Sequence, residues 1–459
     1  MMKNIYLIIL MLSITLASCN SDELLDKDPY DRVLTENLIT DFTSFKAATA
    51  GAYNLLQDRF YHGGLYPIAS DLMSDNSLSS WVLFPGTDVY ETPSDDREVL
   101  RIWTEVSNLI AHSSIVIRQA ESFDFESDQA QASDLIAQLY VIRGMAYFDM
   151  QRLFAQPYNF TADASHMGIP LVNETQVGIE IINPERSTTA EVYAKIISDI
   201  QYGINNITDD GTSSIYNFNK TSAKALLARV YLYMENWTEA NALATEVIGS
   251  GYSLVSNTNY VASWAQATTT ESIFSIANTA TDNGSSYAIT YLYGRPRFKA
   301  TMNLFDAIDA NDVRKNLIAA GKVLKFPSYA TRDDNTPILR VSEMYLIQAE
   351  AMAELGMDSE AQTAVNMILS RANPLAAPYA ETGQALKDVI QDERRKELMF
   401  EGHRIFDLTR TKRSFVKYST VAENPINVNY PSDLTILPIP QSEIDANDNI
   451  SESDQNAGY

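Results

Sequence analysis

The residues whose type and setting suit them to ligand chemistry are aromatic rings that fall outside any helical period. Two stretches collect them. Between Tyr61 and Ser94, the residues Tyr61, Tyr66, Trp81, Phe84 and Tyr90 stand among glycines and prolines, and DNGSSYAITYLYGRPRF (282–298) carries Tyr287, Tyr291, Tyr293 and Phe298 with Arg295 beside them. A ring offers a large flat apolar face at small entropic cost, and a phenol or guanidinium adds hydrogen bonds at its edge. Trp81, in SLSSWVLFPG, is the leading stacking platform; the alternative is a loop tryptophan that closes the edge of the core. Tyr287, Tyr291 and Tyr293 alternate as they would on one face of a strand or extended loop, where ordinary sheet packing is the competing explanation. Arg295, Asp88 and Asn283 are candidates to bind hydroxyl groups. A loop region as long as 61–94 is unusual in a compact domain, and long loops often carry function.

Other chemistries find little support. The four histidines are scattered, and no HExxH, CxxC, P-loop or GxSxG pattern is present. Asp71, Asp75 and Asn76 could face a Ca²⁺ ion, but the EF-hand spacing is absent, and no metal or cofactor is expected. Glu393, Arg394, Arg395 and Arg404 read as an ion-pair network that fixes helix packing rather than as an active site. With 34 basic against 59 acidic residues the net charge is −25. Such a surface repels a phosphate backbone, so nucleic acid is not an expected partner.

The elements that must hold these loops are helical. Apolar residues at helical spacing predict helices over 41–60, 99–121, 129–154, 187–207, 220–235, 237–249, 338–355 and 360–372, with another over 387–400. Thr188, Thr189 and Glu191 sit near the likely start of the 187–207 helix. The 220–249 and 338–372 pairs echo each other: Ala228 overlays Ala349, Met234 overlays Leu355, and Glu239-Ala240 overlays Glu360-Ala361. Two antiparallel helices repeated in this way make a TPR-like scaffold. The stretch SIFSIANTA (272–280) is β-like, and Trp103, Trp237 and Trp264 read as structural, the last ambiguously.

Three stretches carry a family resemblance: ILRVSEMYLIQAEA (338–351), ERRKELMFEGHRIFDLTR (393–410) and LPIPQSEIDANDNI…QNAGY (437–459). Taken in that order they resemble the SusD/RagB family of outer-membrane nutrient-binding lipoproteins. The resemblance implies a mostly α fold, a TPR-like hairpin scaffold with long loop insertions and little β structure. It also implies a sugar site on the loops, where C–H faces stack on rings and hydroxyls find polar partners. The expected ligand-binding residues are Trp81, Tyr61, Tyr90, Tyr287, Tyr291, Tyr293 and Arg295. The implied function is capture of an oligosaccharide for a TonB-dependent transporter of the SusC type, without catalysis. A peptide ligand, as in RagB-like members, is the alternative, and a cell-surface glycoside hydrolase is a third reading.

The N-terminus agrees with that resemblance. Residues 1–18 have the charge and apolar run of a signal peptide, and Leu16-Ala17-Ser18-Cys19 resembles a lipobox that leaves Cys19, the sole cysteine, as the lipid-attachment residue. Residues 19–37 would then tether a single domain, 38–459, to the outer membrane at the cell surface. Its expected parts are N-terminal helices and loops (38–186), TPR-like helices (187–250), a loop-rich insertion (251–337) and a TPR-like hairpin with the C-terminal motif (338–459).

Overall fold

The computed structural model describes residues 38–79, 86–172, 183–209, 214–419 and 425–459. The principal helices in chain order are α1 (Phe42–Gln57), α2 (Leu65–Leu72), α3 (Arg97–Ser122), α4 (Gln129–Phe154), α5 (Thr189–Asn206), α6 (Lys220–Tyr233), α7 (Trp237–Ile248), α8 (Ile289–Tyr293), α9 (Val341–Glu354), α10 (Asp358–Ala372), α11 (Gly383–Glu397) and α12 (Arg404–Arg410). Among the described residues the β structure is confined to five two-stranded antiparallel ribbons. The fold is mostly helical, as the periodicity predicts.

Local chemistry sets the helix starts. The Asp41 carboxylate accepts from the Ser44 amide at 2.7 Å and Ser44 Oγ accepts from the Asp41 amide, closing a capping box before α1. Thr188 and Glu191 form the same device before α5, near the start expected from the sequence. From α3 to α7 each helix packs on the next; α9 then packs on α7, and α10 and α11 pack on α9. This row of helices is the TPR-like scaffold, and one large apolar cluster runs along it from Ile39 to Ile450.

Charge locks the far end of the row. Glu397, fully buried, lies 2.6 Å from Arg371, 3.2 Å from Arg340 and 3.3 Å from Arg314. Glu393 pairs with Arg314 at 2.7 Å, Asp407 with Arg410 at 2.7 Å and with Arg394 at 3.2 Å, and Asp75 with Arg404 at 2.8 Å and Arg395 at 3.3 Å. The expected ion-pair network is therefore present. Asp75 and Asn76, weighed above as facing a Ca²⁺ ion, are instead engaged by arginines, with Arg395 Nε donating to Asn76 Oδ1 at 2.7 Å.

Two other expectations change. Residues 338–340 belong to strand β4 (Thr336–Arg340), not to the following helix, because they pair with β2 (Ser272–Ile276) in the expected β-like stretch. The 61–94 region is not all loop: α2 forms there, and all eight of its residues are buried. Strand β1 (Ser77–Ser79) then pairs with β3 (Phe298–Ala300), which joins the two aromatic stretches.

Candidate functional site

The two stretches meet on the seat formed by residues 59–64 and α2. The Ile289 amide donates to the Gly63 carbonyl at 3.0 Å, and α8 packs on α2. A Cβ at Gly64 would fall 1.7 Å from the Tyr287 carbonyl oxygen, so only glycine permits this approach. Residues 287–293 are thus a 3₁₀ turn followed by a short helix, not the strand that their alternation predicts. The consequence for the tyrosines is direct. On a strand all three share a face; here Tyr287 ends the 3₁₀ turn, and on the short helix Tyr291 and Tyr293, two positions apart, point to different sides.

Tyr287 and Tyr291 are half-buried at the surface, while Tyr293 is fully buried. Tyr293 donates its hydroxyl to Asp71 beneath the seat, and burial pushes its phenol well above the usual range. Burial likewise pushes the Asp71 carboxyl up to about 7. Tyr61 and Tyr90 also leave the candidate surface. Tyr61 is buried and donates to Asp149 at 2.6 Å, where His62 lies 2.7 Å from the same oxygen; Tyr90 is buried and donates to the Met73 carbonyl. In each case a phenol enters the core because a buried acceptor satisfies its hydroxyl. Burial works to raise the Asp149 carboxyl, but the neighbouring His62 and Arg152 charges outweigh it and hold it below the usual carboxylate range. Asp88 pairs with Lys417 at 2.8 Å, and Asn283 donates to the Thr279 carbonyl at 2.7 Å, so both serve structure. Trp81 and Cys19 lie outside the described residues.

What remains is a shelf. Tyr291 stacks on Tyr329, with centroids 5.1 Å apart and planes 16° apart. Arg295 and Arg332 each place a guanidinium 4.4 Å from the Tyr291 ring centre, and Arg295 donates to the Tyr291 hydroxyl at 2.7 Å. On the preceding 3₁₀ turn, Tyr287 meets Phe60 edge to face at 5.1 Å, with Arg59 and Arg101 each 4.7 Å from the Phe60 ring centre. Arg101 also donates to the Tyr287 hydroxyl at 2.9 Å. Tyr329 is 42% exposed. Its ring lies over Gly294, where a Cβ would come within 2.4 Å of it.

Phe60, Tyr329, Arg332, Arg59 and Arg101 were not among the expected site residues. Tyr329 carries the signal that singles out Trp81: an aromatic between small and turn-forming residues, here in FPSYATRDD (326–334). The remaining tryptophans are structural. Trp103 is buried and donates to Glu443 at 3.1 Å, Trp237 packs against the core, and Trp264 packs against Tyr260 and Phe326 with Lys325 Nζ 4.2 Å from its ring centre.

A surface cluster of aromatic rings and guanidinium groups is thus held by the helical row, on a seat made from two distant stretches. Two family models match the chain: the SusD family over residues 313–459, and the family described as starch-binding and associating with the outer membrane over residues 22–232. The chain belongs to the SusD/RagB family. SusD-like protein P38 of Formosa agariphila is 26% identical, with 90% of this chain and 92% of that protein aligned. A SusD superfamily structure from Bacteroides thetaiotaomicron matches with a TM-score of 0.82 at 27% identity, over 91% of this chain and all of that one. A laminarin-binding SusD-like protein shares the fold, with a TM-score of 0.71 at 20% identity, over 92% of this chain and all of that one. As a SusD-like protein the chain falls in a class of carbohydrate-binding, generally non-catalytic proteins associated with the outer membrane. Among the described residues no helix is long and apolar enough to cross a membrane.

Proposed function

We propose that this SusD-like protein is a lipid-anchored, cell-surface lipoprotein that captures an oligosaccharide on the Tyr291–Tyr329 shelf. It then presents that glycan, without cleaving it, to a TonB-dependent transporter of the SusC type. The observation that carries the reading is Tyr329, 42% exposed and stacked on Tyr291, whose ring also carries the Arg295 and Arg332 guanidinium groups. A pyranose packs its C–H face on such a ring while its hydroxyls take the arginine donors. Laminarin binding by a solved protein of the same fold is consistent with it. Anchoring rests on Cys19 in its lipobox-like setting, with residues 1–18 removed and 19–37 as tether.

The test is a binding screen of residues 20–459 against oligosaccharides and peptides, with Tyr329→Ala and Trp81→Ala alongside. A glycan whose affinity falls tenfold or more (about 1.4 kcal/mol) with Tyr329→Ala supports the shelf. Glycan binding lost only with Trp81→Ala moves the site to that loop, and binding of peptides alone moves the protein to the RagB-like reading. Recovery of Cys19→Ala in the soluble fraction, with the wild type in membranes, tests the anchor. Co-purification of a β-barrel transporter with the membrane-bound wild type tests the partner.

A further inference from the structure

The shelf concentrates cations in a chain that is strongly acidic. Four guanidinium groups, those of Arg59, Arg101, Arg295 and Arg332, lie within 4.7 Å of the centre of one of two rings, Phe60 or Tyr291. Acidic residues outnumber basic ones 59 to 34, so a guanidinium at random has an excess of carboxylates to find. Around α11 and α12 the arginines do find them. At the shelf Arg101 finds one, and Asp58 and Glu105 lie near enough to Arg59 for their charges to be felt, but neither pairs with it. Glu98 is held by Arg97 and Arg101, Asp58 accepts from the Phe60 amide at 2.7 Å, and Asp333 accepts from the Thr331 hydroxyl. Arg59 and Arg332 have no carboxylate within ion-pair distance among the described residues. Arg332 reaches only Ser285 Oγ, at 3.5 Å.

The backbone adds an independent observation. Arg332 and Ser285 both adopt the left-handed region, at φ 62° and 54°. Such conformations are costly for residues with a Cβ and gather where geometry serves a function. From this backbone conformation Arg332 lies over the Tyr291 ring, with Ser285 Oγ at its edge. A guanidinium above a ring keeps its planar set of N–H donors at its rim, matched to two oxygens of a carboxylate or sulfate.

We propose that the shelf takes an anionic glycan, one bearing carboxylate or sulfate ester groups, with Arg59 and Arg332 as the residues that select charge. This rests on the shelf being the glycan site. The ring contact and the charge contact are then separate determinants: Tyr329 sets affinity for any pyranose, and the arginines set the preference for the charged one. The overall charge of −25 does not oppose this at close range, because at physiological ionic strength charges farther than ~8 Å are largely screened.

The experiment uses matched polymers. Polygalacturonate is compared with its methyl ester, and a sulfated galactan with its desulfated form, by affinity electrophoresis or calorimetry on residues 20–459. The expected result is binding of at least one charged polymer tenfold or more tighter than its neutralised form. Which pair shows the difference tells carboxylate from sulfate. Arg332→Gln with Arg59→Gln removes that difference by weakening the charged form far more than the neutral one, while Tyr329→Ala weakens both to a similar degree. Arg59→Gln alone, at an exposed position, gives a partial loss even where the left-handed Arg332 position tolerates glutamine poorly. Equal binding of charged and neutralised forms, both still dependent on Tyr329, overturns the inference and leaves the glycan shelf standing. Absence of binding to every polymer, charged or neutral, overturns the inference together with the shelf.

Discussion

Around α11 the arginines are sealed from water and matched to carboxylates, whereas around α8 they lie over aromatic rings at the surface. Arg314, Arg340 and Arg371 surround one carboxylate, Glu397, and the charges at that hub are buried. Removing a guanidinium from water costs several kcal/mol, so each buried one needs acceptors at hydrogen-bond distance. Arg59 is exposed and rests its charge on a ring, and half-buried Arg332 rests over Tyr291 with its Nε buried and unpartnered. The same residue type thus acts as a rivet in one region and lies over a ring without an ion pair in the other. Burial and partner supply, not identity, decide which.

The contrast breaks most severely at the hub. Glu397→Ala leaves three buried guanidinium groups short of an acceptor and is expected to destabilise the fold by about 3–5 kcal/mol, read by chemical denaturation. Glycan binding is then lost only through unfolding. Next in size is Gly64→Ala, which drives a methyl group into the Tyr287 carbonyl. An expected loss of about 1–3 kcal/mol accompanies displacement of α8, so affinity falls even at temperatures where the protein stays folded.

A third effect separates the shelf from its foundation by pH. Burial places the Asp71 carboxyl at about 7 in the folded state, above its unfolded value of ~3.9. Between those values the folded chain holds a proton that the unfolded chain lacks. The contribution of this group to stability therefore falls as pH rises from about 4 to about 7, with a slope of up to about 1.4 kcal/mol per pH unit. Asp71→Asn is expected to remove that slope, measured as the difference in unfolding free energy between wild type and variant at either end of the window. The smallest stability effect is Tyr329→Ala. With 42% of Tyr329 already exposed, the expected change in folding is under about 1 kcal/mol, while glycan affinity drops tenfold. A large stability loss there would make Tyr329 a core residue and erase the contrast between hub and shelf.

Much of the scaffold was legible because long amphipathic helices advertise their period. The range 129–154 matches α4 at both ends, and the alternating charges near 393 do form a network. Shorter elements depended on partners far away in sequence. ILR at 338–340 continues an apolar helical face, yet pairing with β2 makes it a strand. The run YAITYLY is rich in β-formers and alternates, yet the seat at Gly63 and Gly64 folds it as a helix five residues long, too short to show a period. That error turned Tyr293 outward in the sequence reading, whereas the structure turns it toward Asp71. Tyr287, Tyr291 and Arg295 stay partly exposed in the structure, as they would on an exposed strand face. Tyr329 and Arg332 reach the same shelf from a third loop, and only the fold brings that loop to Tyr291.

The meeting of Gly64 with the Tyr287 carbonyl is main chain against main chain. A seat of that kind is indifferent to what the side chains above it are. Tyr287, Tyr291, Tyr329 and Arg332 can be exchanged by point substitution while the platform that displays them keeps its place. Inheritance of the fold and divergence of the displayed surface are thereby uncoupled, so that surface can change at a handful of codons without re-solving how the protein folds.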